Sequence, residues 1–204
     1  MLKPKRHGFQ FKRRTPQTQA VSRYRRYVSR CIHFWESWTT TASNQRPSSI
    51  PPADYGVNID LRNLTVESTL FLPVQIEGAG LYIGDPNFAQ DNGEVSLTAL
   101  EASLRATLRA QVVPTAEDKR LFGHTDLPFA ISHGTLIPMG FSSTLDDALS
   151  QSVEHAINMI TAMFEMPRQQ VYLLLSAAID FDVTQAVDIT KGVHGLLDLS
   201  MFQQ

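Results

Sequence analysis

Carboxylate and carboxamide side chains are concentrated in one short stretch of the sequence, residues 84–95. Three carboxylates and two carboxamides fall within it, namely Asp85, Asn87, Asp91, Asn92 and Glu94. Oxygen-rich loops held by a rigid scaffold are common binding sites for metal ions and polar substrates. Asn, Asp and Gly also favour hairpin turns that have no chemistry of their own. The residue types alone leave both interpretations open.

Apolar runs on both sides of this loop predict that strands carry it. Residues 69–74 and 79–83 are apolar, and residues 104–112 alternate between apolar and polar side chains. Such alternation is typical of a half-buried strand. Residues 129–138 predict a further hairpin, and residues 114–126 predict a charged loop. We therefore expect an α+β, mainly β, protein built on a sandwich or half-barrel of antiparallel strands.

Residues 144–179 predict a helical hairpin. Thr144 can cap the first helix, with Asp146 and Asp147 in its first turn, where the helix dipole favours acids. Pro167 suits the first turn of a second helix. Spacings of three and four define one buried face for each helix: Leu145, Leu149, Ser152, Ala156, Ile160 and Met163 in the first, and Val171, Leu174, Leu175, Ala178 and Ile179 in the second.

A second group of polar residues follows the helical hairpin. Residues 180–197 alternate in the manner of extended chain, with Phe181, Val183, Gln185 and Val187 in one line. The same segment holds several charged or ionisable residues, namely Asp180, Asp182, Asp188, Lys191 and His194. These residue types fit the edge of a polar site and a solvated turn equally well.

Charge divides the chain into a basic arm and an acidic body. Residues 1–50 carry 11 Lys or Arg and one acid, whereas residues 51–204 carry 7 Lys or Arg and 19 acids. Residues 39–53 are rich in Ser, Thr and Pro, which predicts a linker. We therefore divide the chain into a disordered arm with its linker, residues 1–53, and one domain, residues 54–204. The single cysteine, Cys31, excludes an intramolecular disulfide framework.

Three interpretations of the basic arm compete. Residues 1–35 are rich in Arg and contain no acid, which is typical of a mitochondrial presequence. Arginines interleaved with Tyr24 and Tyr27 also suit a nucleic-acid-binding arm, and a leader without a role of its own has the same composition. No apolar run approaches the length of about 18 residues that a membrane span needs. We expect a cytoplasmic protein, or a mitochondrial one if residues 1–38 are a presequence.

Several separated segments, taken in order, resemble the acetamidase/formamidase family. The resemblance covers residues 54–197. Motifs that recur in the right order are a much more specific signal than one short pattern. The matching segments are Asn58-Ile59-Asp60 and residues 68–74, 84–85, 93–95, 98–101, 145–148, 174–176, 183–188 and 191–194.

The resemblance implies hydrolysis of small linear amides to a carboxylic acid and ammonia on a jelly-roll-like β-sandwich. It also implies a divalent metal, with zinc as the first choice and calcium as the alternative. Asp60, Asp85, Asp91, Asn58 and Asn87 are then the expected metal contacts. Glu94 is the expected general base, because a carboxylate beside a cation can take a proton from bound water. Asp85 is a second candidate for catalysis, and His194 for contact with substrate.

The chain also departs from the family pattern, which reads Gly-Asp-x-His and then Gly-Asp-Gly-Glu in the central loop. Asn87 stands at the His position, and Asp91 and Asn92 replace the second Gly and the second Asp. Asn offers an oxygen to a hard cation but replaces a zinc-binding imidazole poorly. The resemblance further implies an N-terminal part that the basic arm replaces here, so we expect a truncated and impaired member.

Two functions follow from these observations. The first is an amidase that acts on a small amide substrate, assembles as a homo-oligomer and does not bind nucleic acid. The alternative is a non-catalytic interaction protein whose basic arm binds nucleic acid or an anionic surface. We also expect open strand edges to make the body self-associate, and we expect residues 1–50 not to pack against it.

Overall fold

The computed structural model describes residues 5–12, 34–38, 48–78, 80–123 and 126–202. Within these ranges the chain forms eleven strands, three α-helices and one short 3₁₀ segment. The helices are α1 (Thr115–Phe122), α2 (Leu145–Phe164) and α3 (Arg168–Ala178). The strands are β1 (Lys5–Lys12), β2 (Phe34–Trp38), β3 (Gly56–Val57), β4 (Thr69–Val74), β5 (Tyr82–Ala89), β6 (Leu100–Glu101), β7 (Thr107–Val113), β8 (Phe129–Ser132), β9 (Thr135–Ser142), β10 (Asp180–Gln185) and β11 (Lys191–Asp198).

Seven strands form one antiparallel sheet in the order β10-β11-β9-β8-β4-β1-β7, and four form a second in the order β3-β2-β5-β6. The mixed α/β architecture, with more strand than helix, is as predicted. The large sheet has an apolar layer on each face, because successive side chains of a strand point to opposite sides. On β4, Phe71 packs with helices α2 and α3, whereas Leu70 and Leu72 pack with Ile59 and Leu61.

The predicted helical hairpin is confirmed. Thr144 caps α2, its hydroxyl accepting a hydrogen bond from the Asp147 backbone N–H at 3.2 Å. The buried face of α2 differs from the prediction at its start, where Leu145 and Leu149 are 38% and 39% exposed. Gly140 explains part of this difference, since a Cβ there would lie 2.2 Å from the Ala148 carbonyl oxygen. The helix therefore packs on β9 through its small residues.

Separation of residues 1–50 from the body is not confirmed. Strand β1 lies between β4 and β7 and pairs antiparallel with both. Strand β2 likewise lies between β3 and β5. The basic residues of the sequence predict a separate arm. A strand that lies between two others, however, has partners for the backbone groups on both of its edges. The remaining arm and most of the linker lie outside the described residues, and the domain boundary near residue 53 stays a prediction, as does the jelly-roll topology.

Two local predictions are wrong. The start of the predicted polar loop is strand in the structure. β5 continues through Asn87 and pairs with β2, with a shift in register along the pair. Asp85 has a positive φ of 48° at this shift in register. Residues that usually form turns therefore form a β-bulge here. The charged loop of residues 114–126 is instead largely helix α1. Its acids fall in the first turn and its bases in the last, the arrangement that the helix dipole favours.

The hairpin at residues 129–138 is confirmed as β8 and β9, joined by His133 and Gly134 with φ of 49° and 81°. Positive φ at both central residues is typical of a tight hairpin turn. The strand predicted at residues 104–112 is present as β7, but the predicted half-buried face is wrong, because β7 is the last strand of its sheet and both Ala110 and Val112 are exposed. Among the described helices, none combines the length and apolar character that crossing a membrane requires.

The position of β1 and β2 predicts the behaviour of a fragment that lacks them. A chain of residues 51–204 exposes the edges of β4, β7, β3 and β5, and unpaired edges are templates for another chain. We expect this fragment to self-associate at micromolar concentration in analytical ultracentrifugation, with the full chain as the control. A compact fragment monomer with a cooperative thermal transition would show that the N-terminal strands are dispensable.

Candidate functional site

Three carboxylates from distant parts of the sequence meet at one place, and we call them the carboxylate trio. Asp60, Glu94 and Asp188 each place a carboxylate oxygen within 4.8 Å of the others. Asp60 follows β3, Glu94 follows β5, and Asp188 lies in the β10–β11 connection. Asp60 and Asp188 are 1% and 9% exposed, and Glu94 is partly buried. Burial of three acidic groups together is costly unless a proton or a cation compensates the charge.

Backbone hydrogen bonds hold the loop that carries Glu94. The Gly93 N–H donates to the Thr184 carbonyl at 3.1 Å, and the Ala186 N–H donates to the Gly93 carbonyl at 2.9 Å. These two bonds attach the loop to the end of β10, which lies three residues before Asp188. The Gln90 side-chain amide also donates to the Asp60 carbonyl at 3.2 Å. The loop is thus fixed to the segments that supply both other members of the trio.

Strained backbone conformations are concentrated around the trio. Glu94 and Asp188 have positive φ values of 38° and 57°, and Leu97 and Ile189 have 68° and 67°. Positive φ is uncommon for residues other than glycine and is a genuine outlier for a β-branched residue such as Ile189. Such strain persists only where the surroundings enforce it, and it occurs often at functional sites. Both loops are therefore held in shape against their local preference.

The electrostatics of the trio favour a shared proton or a bound cation. Burial raises the pKa of Glu94, and the charges of Asp188, Asp85 and Glu101 raise it further, against a hydrogen bond with Asp60 that lowers it. Two carboxyl groups can hydrogen-bond only if one is protonated. Burial and then the charges of Glu101 and Asp188 also raise the pKa of Asp85.

Nearby cations are engaged elsewhere. Arg62 forms an ion pair with Asp91, and the Lys191 ammonium donates to the Ala186 carbonyl at 2.7 Å. Within the part of the chain that the structure describes, no Lys or Arg forms an ion pair with Glu94 or Asp188. Among the described residues, the negative charges of Glu94 and Asp188 are therefore not compensated by an ion pair.

The structure brings together some of the expected site residues and separates others. Asp60 and Glu94 belong to the trio, and Asp85 lies close enough for its charge to raise the pKa of Glu94. Asp91 lies outside the trio in its ion pair with Arg62, with a side chain that is 83% exposed. Asn58 is partly buried beside β3, two residues before Asp60.

Asn87, His194 and Gln185 are buried polar side chains with atoms that have no hydrogen-bond partner among the described residues. Asn87 is 2% exposed, and its Oδ1 has no hydrogen-bond partner among the described residues. His194 is fully buried on β11, with its Nδ1 2.8 Å from the Thr184 hydroxyl and its Nε2 unpartnered in the same sense. Gln185 is also fully buried, and neither atom of its amide has a partner in the described chain.

Burial and then the positive charge of Arg62 lower the pKa of His194 to about 4. Its imidazole is therefore neutral near pH 7, with one ring nitrogen able to donate and the other able to accept. A neutral, buried imidazole suits contact with an uncharged polar ligand better than it suits proton transfer at neutral pH.

Sequence reasoning undervalued Asp188 and did not select Gln185 for the site. Asp188 was noted only within a polar edge, because nothing local distinguishes it from Asp180 or Asp182. Gln185 did leave a signal, since it is the polar member of an otherwise apolar line along β10. A buried carboxamide on an apolar line requires a hydrogen-bond partner.

Comparison with known proteins places the chain among related sequences. A family model described as the Acetamidase/Formamidase family matches residues 27–204. The formamidase of Methylophilus methylotrophus is 38% identical over 55 residues, which are 27% of this chain and 14% of that protein. The acetamidase of Mycolicibacterium smegmatis is 41% identical over 54 residues, which are 26% of this chain and 13% of that protein. The matched segments thus span less than a sixth of either relative.

A solved structure shares the fold. The crystal structure of a predicted acetamidase/formamidase from Thermoanaerobacter tengcongensis gives a TM-score of 0.85 at 13% sequence identity. The match covers 99% of this chain and 74% of that one. At this level of identity the likeness concerns the fold alone.

The buried, neutral His194 predicts a pH dependence of stability. Its pKa is about 4 in the folded state and about 6.5 in an unfolded chain, so the unfolded state binds more protons between these values. The contribution of His194 is therefore fully present above pH 6.5 and is lost as the pH falls toward 4. We expect His194→Asn to reduce the acid-induced loss in unfolding free energy between pH 6.5 and 4.5 by about 2 to 3 kcal/mol.

The measurement is urea unfolding at a series of pH values. The raised pKa values of Glu94 and Asp85 increase stability as the pH falls, which is opposite to the effect of His194. Both carboxyl groups are present in the wild type and in the variant, so the difference between the two proteins reports the imidazole. His133→Asn, the same replacement in the exposed β8–β9 turn, is the matched control. An unchanged pH dependence in His194→Asn would contradict the assignment of a neutral imidazole.

Proposed function

Because the chain belongs to the acetamidase/formamidase family, we propose that it hydrolyses short linear amides to a carboxylic acid and ammonia. The observation that carries the proposal is the carboxylate trio, in which three carboxylate oxygens from Asp60, Glu94 and Asp188 lie within 4.8 Å of one another. A hydrolase for amides needs a group that accepts a proton from water and positive charge to stabilise the oxyanion. The trio supplies carboxylates that can accept a proton from water. A cation bound by the trio would supply the positive charge.

The residues present fit a divalent cation. Two of the three carboxylates are buried, and the described part of the chain supplies no ion pair for Glu94 or Asp188. Asp60 and Asp188 would hold the ion, with Asp85 close by. A donor set made only of oxygen favours a hard cation such as Ca²⁺ over Zn²⁺, which prefers nitrogen or sulfur ligands. Calcium is therefore the first candidate, and zinc, which the family resemblance implied, is the alternative.

Asn87 is proposed as a further oxygen ligand. Its buried Oδ1 has no hydrogen-bond partner among the described residues, and a carboxamide oxygen is a usual ligand for hard cations. Asp91, by contrast, would first have to leave Arg62, and we assign it a supporting role at the rim of the site. Asn58, a carboxamide two residues before Asp60, remains a candidate oxygen ligand.

Glu94 is proposed as the general base. Its raised pKa brings its proton affinity closer to that of a base that works near neutral pH. It would accept a proton from water as the water oxygen attacks the amide carbonyl carbon. The same carboxyl group would then return the proton to the leaving nitrogen, which departs as ammonia. A divalent cation, when bound, supplies the positive charge that polarises the carbonyl group and makes water more acidic.

Cation binding is tested by thermal stability. Chelator-treated protein should gain about 5 to 10 °C in Tm with Ca²⁺ at a hundredfold excess over its Kd, because binding to the folded state alone contributes about 2.7 kcal/mol. Mn²⁺, Mg²⁺ and Zn²⁺ are compared in parallel. Asp188→Asn should lose more than half of the gain. Glu154→Gln, in an exposed pair with Arg168 on the helices, is the control and should retain it.

Hydrolysis is tested by ammonia release from formamide and acetamide, with and without added cation. Glu94→Gln should lower kcat/KM by about 10²- to 10⁴-fold, the usual contribution of a general base. Glu154→Gln again provides the matched control. Activity that survives in Glu94→Gln would remove Glu94 from this role. Cation binding without any ammonia release from the wild-type chain would instead favour the non-catalytic alternative.

A further inference from the structure

We propose that Gln185 binds the amide group of the substrate, and that it selects primary amides by pairing with their N–H and C=O together. The inference rests on the proposed function, since it assigns a recognition group to the same site. It concerns a residue outside the carboxylate trio and makes no use of the cation.

The first argument is the state of the Gln185 side chain. It is fully buried, and neither its Nε2 nor its Oε1 has a hydrogen-bond partner among the described residues. A buried polar group without a partner costs stability, and native proteins contain few of them. Here the unpaired donor and the unpaired acceptor belong to one planar group. A ligand that forms a hydrogen bond with each of these two atoms would offset the free-energy cost of burying them without partners.

The second argument is the position of Gln185 beside the trio. Its backbone forms a bridge with Gly93, the residue before Glu94. It also precedes Asp188 by three positions, at the end of the strand that Gly93 fastens. Two of the three carboxylates are therefore carried by segments that meet at Gln185.

The third argument is the direction of the side chain. The Gln185 amide lies over Gly192, where a Cβ would fall 2.4 Å from Oε1 and 3.1 Å from Nε2. Gly192 and His194 are two positions apart on β11 and therefore share one face of the strand. That face also carries Met139 and Phe141 of the paired strand, which pack with Ile59, the neighbour of Asp60. The Gln185 amide and the His194 imidazole, whose Nε2 has no partner in the described chain, thus lie on the face of the sheet that packs with Ile59.

The chemistry of the ligand follows from the geometry of a carboxamide. A side-chain amide presents one donor and one acceptor side by side in a plane. A primary amide presents the complementary pair, because one of its N–H bonds lies on the same side of the C–N bond as the carbonyl oxygen. A secondary amide in its stable trans form has its N–H on the opposite side, and an ester has no N–H at all. A site built to hydrogen-bond such a group rejects analogues that lack it strongly.

The experiment compares wild type with Gln185→Met, which keeps the length of the side chain and removes both polar atoms. Gln169→Met, on the exposed surface of α3, is the matched control. Binding is followed as the rise in Tm with acetamide, N-methylacetamide or methyl acetate at equal concentration. Turnover is followed as ammonia release from formamide.

We expect acetamide alone to raise the Tm of wild type, and Gln185→Met to lose this rise. The variant should match or exceed the Tm of the free wild type, because two buried polar atoms that have no partner among the described residues have been removed. Its KM for formamide should rise at least tenfold, with a smaller change in kcat. A merely structural role would move stability without moving the preference for acetamide over N-methylacetamide.

The outcomes separate this inference from the proposed hydrolysis. Wild type that binds acetamide through Gln185 but releases no ammonia would support the inference and overturn the hydrolase proposal. Ammonia release with an unchanged KM in Gln185→Met would overturn the inference and leave the hydrolase proposal standing. Wild type with no preference for acetamide over its two analogues would also overturn the inference.

Discussion

Two backbone hydrogen bonds between Gly93 and the end of β10 are the constraint on which the site depends. They join a loop of the small sheet to the edge strand of the large one, and they do so beside Glu94. Side-chain bonds reinforce the junction, since Asn92 donates to Asp182 at 2.8 Å. Without this junction the loop would have no reason to hold Glu94 at a positive φ, and the carboxylates of two sheets would separate.

The junction brings together charges that repel one another, so the site is built at the expense of stability. Burial and then the charges of neighbouring carboxylates raise the pKa values of Glu94 and Asp85, whereas burial lowers that of His194. Folding thus favours the neutral form of each group, although their charged forms have opposite signs. Strained backbone occurs in the same region as buried polar groups that have no partner in the described chain, a combination found where function and stability compete.

The N-terminal strand β1 pairs with two strands of the large sheet whose edges would otherwise be open. β1 places a basic and polar segment between two strands that would otherwise face solvent with unpaired backbone groups. The sheet then has β7 and β10 as its two edges, and β10 is the one that the site occupies. The end of an edge strand has free backbone groups, which is why Thr184 and Ala186 can bind the Gly93 loop.

Local physics determined much of this protein from sequence alone. The Thr144 cap, the β8–β9 turn, the helical hairpin and the extended residues 180–197 follow from spacing and residue type within a few positions. Asp60 and Glu94, which the family resemblance suggested as site residues, lie within 4.8 Å of each other. Only the tertiary structure showed that Asp188 completes the trio while Asp91 pairs with Arg62, and that β1 enters the sheet. These outcomes depend on contacts between segments far apart in the chain, and side-chain periodicity reports which face is buried but not which distant segment covers it.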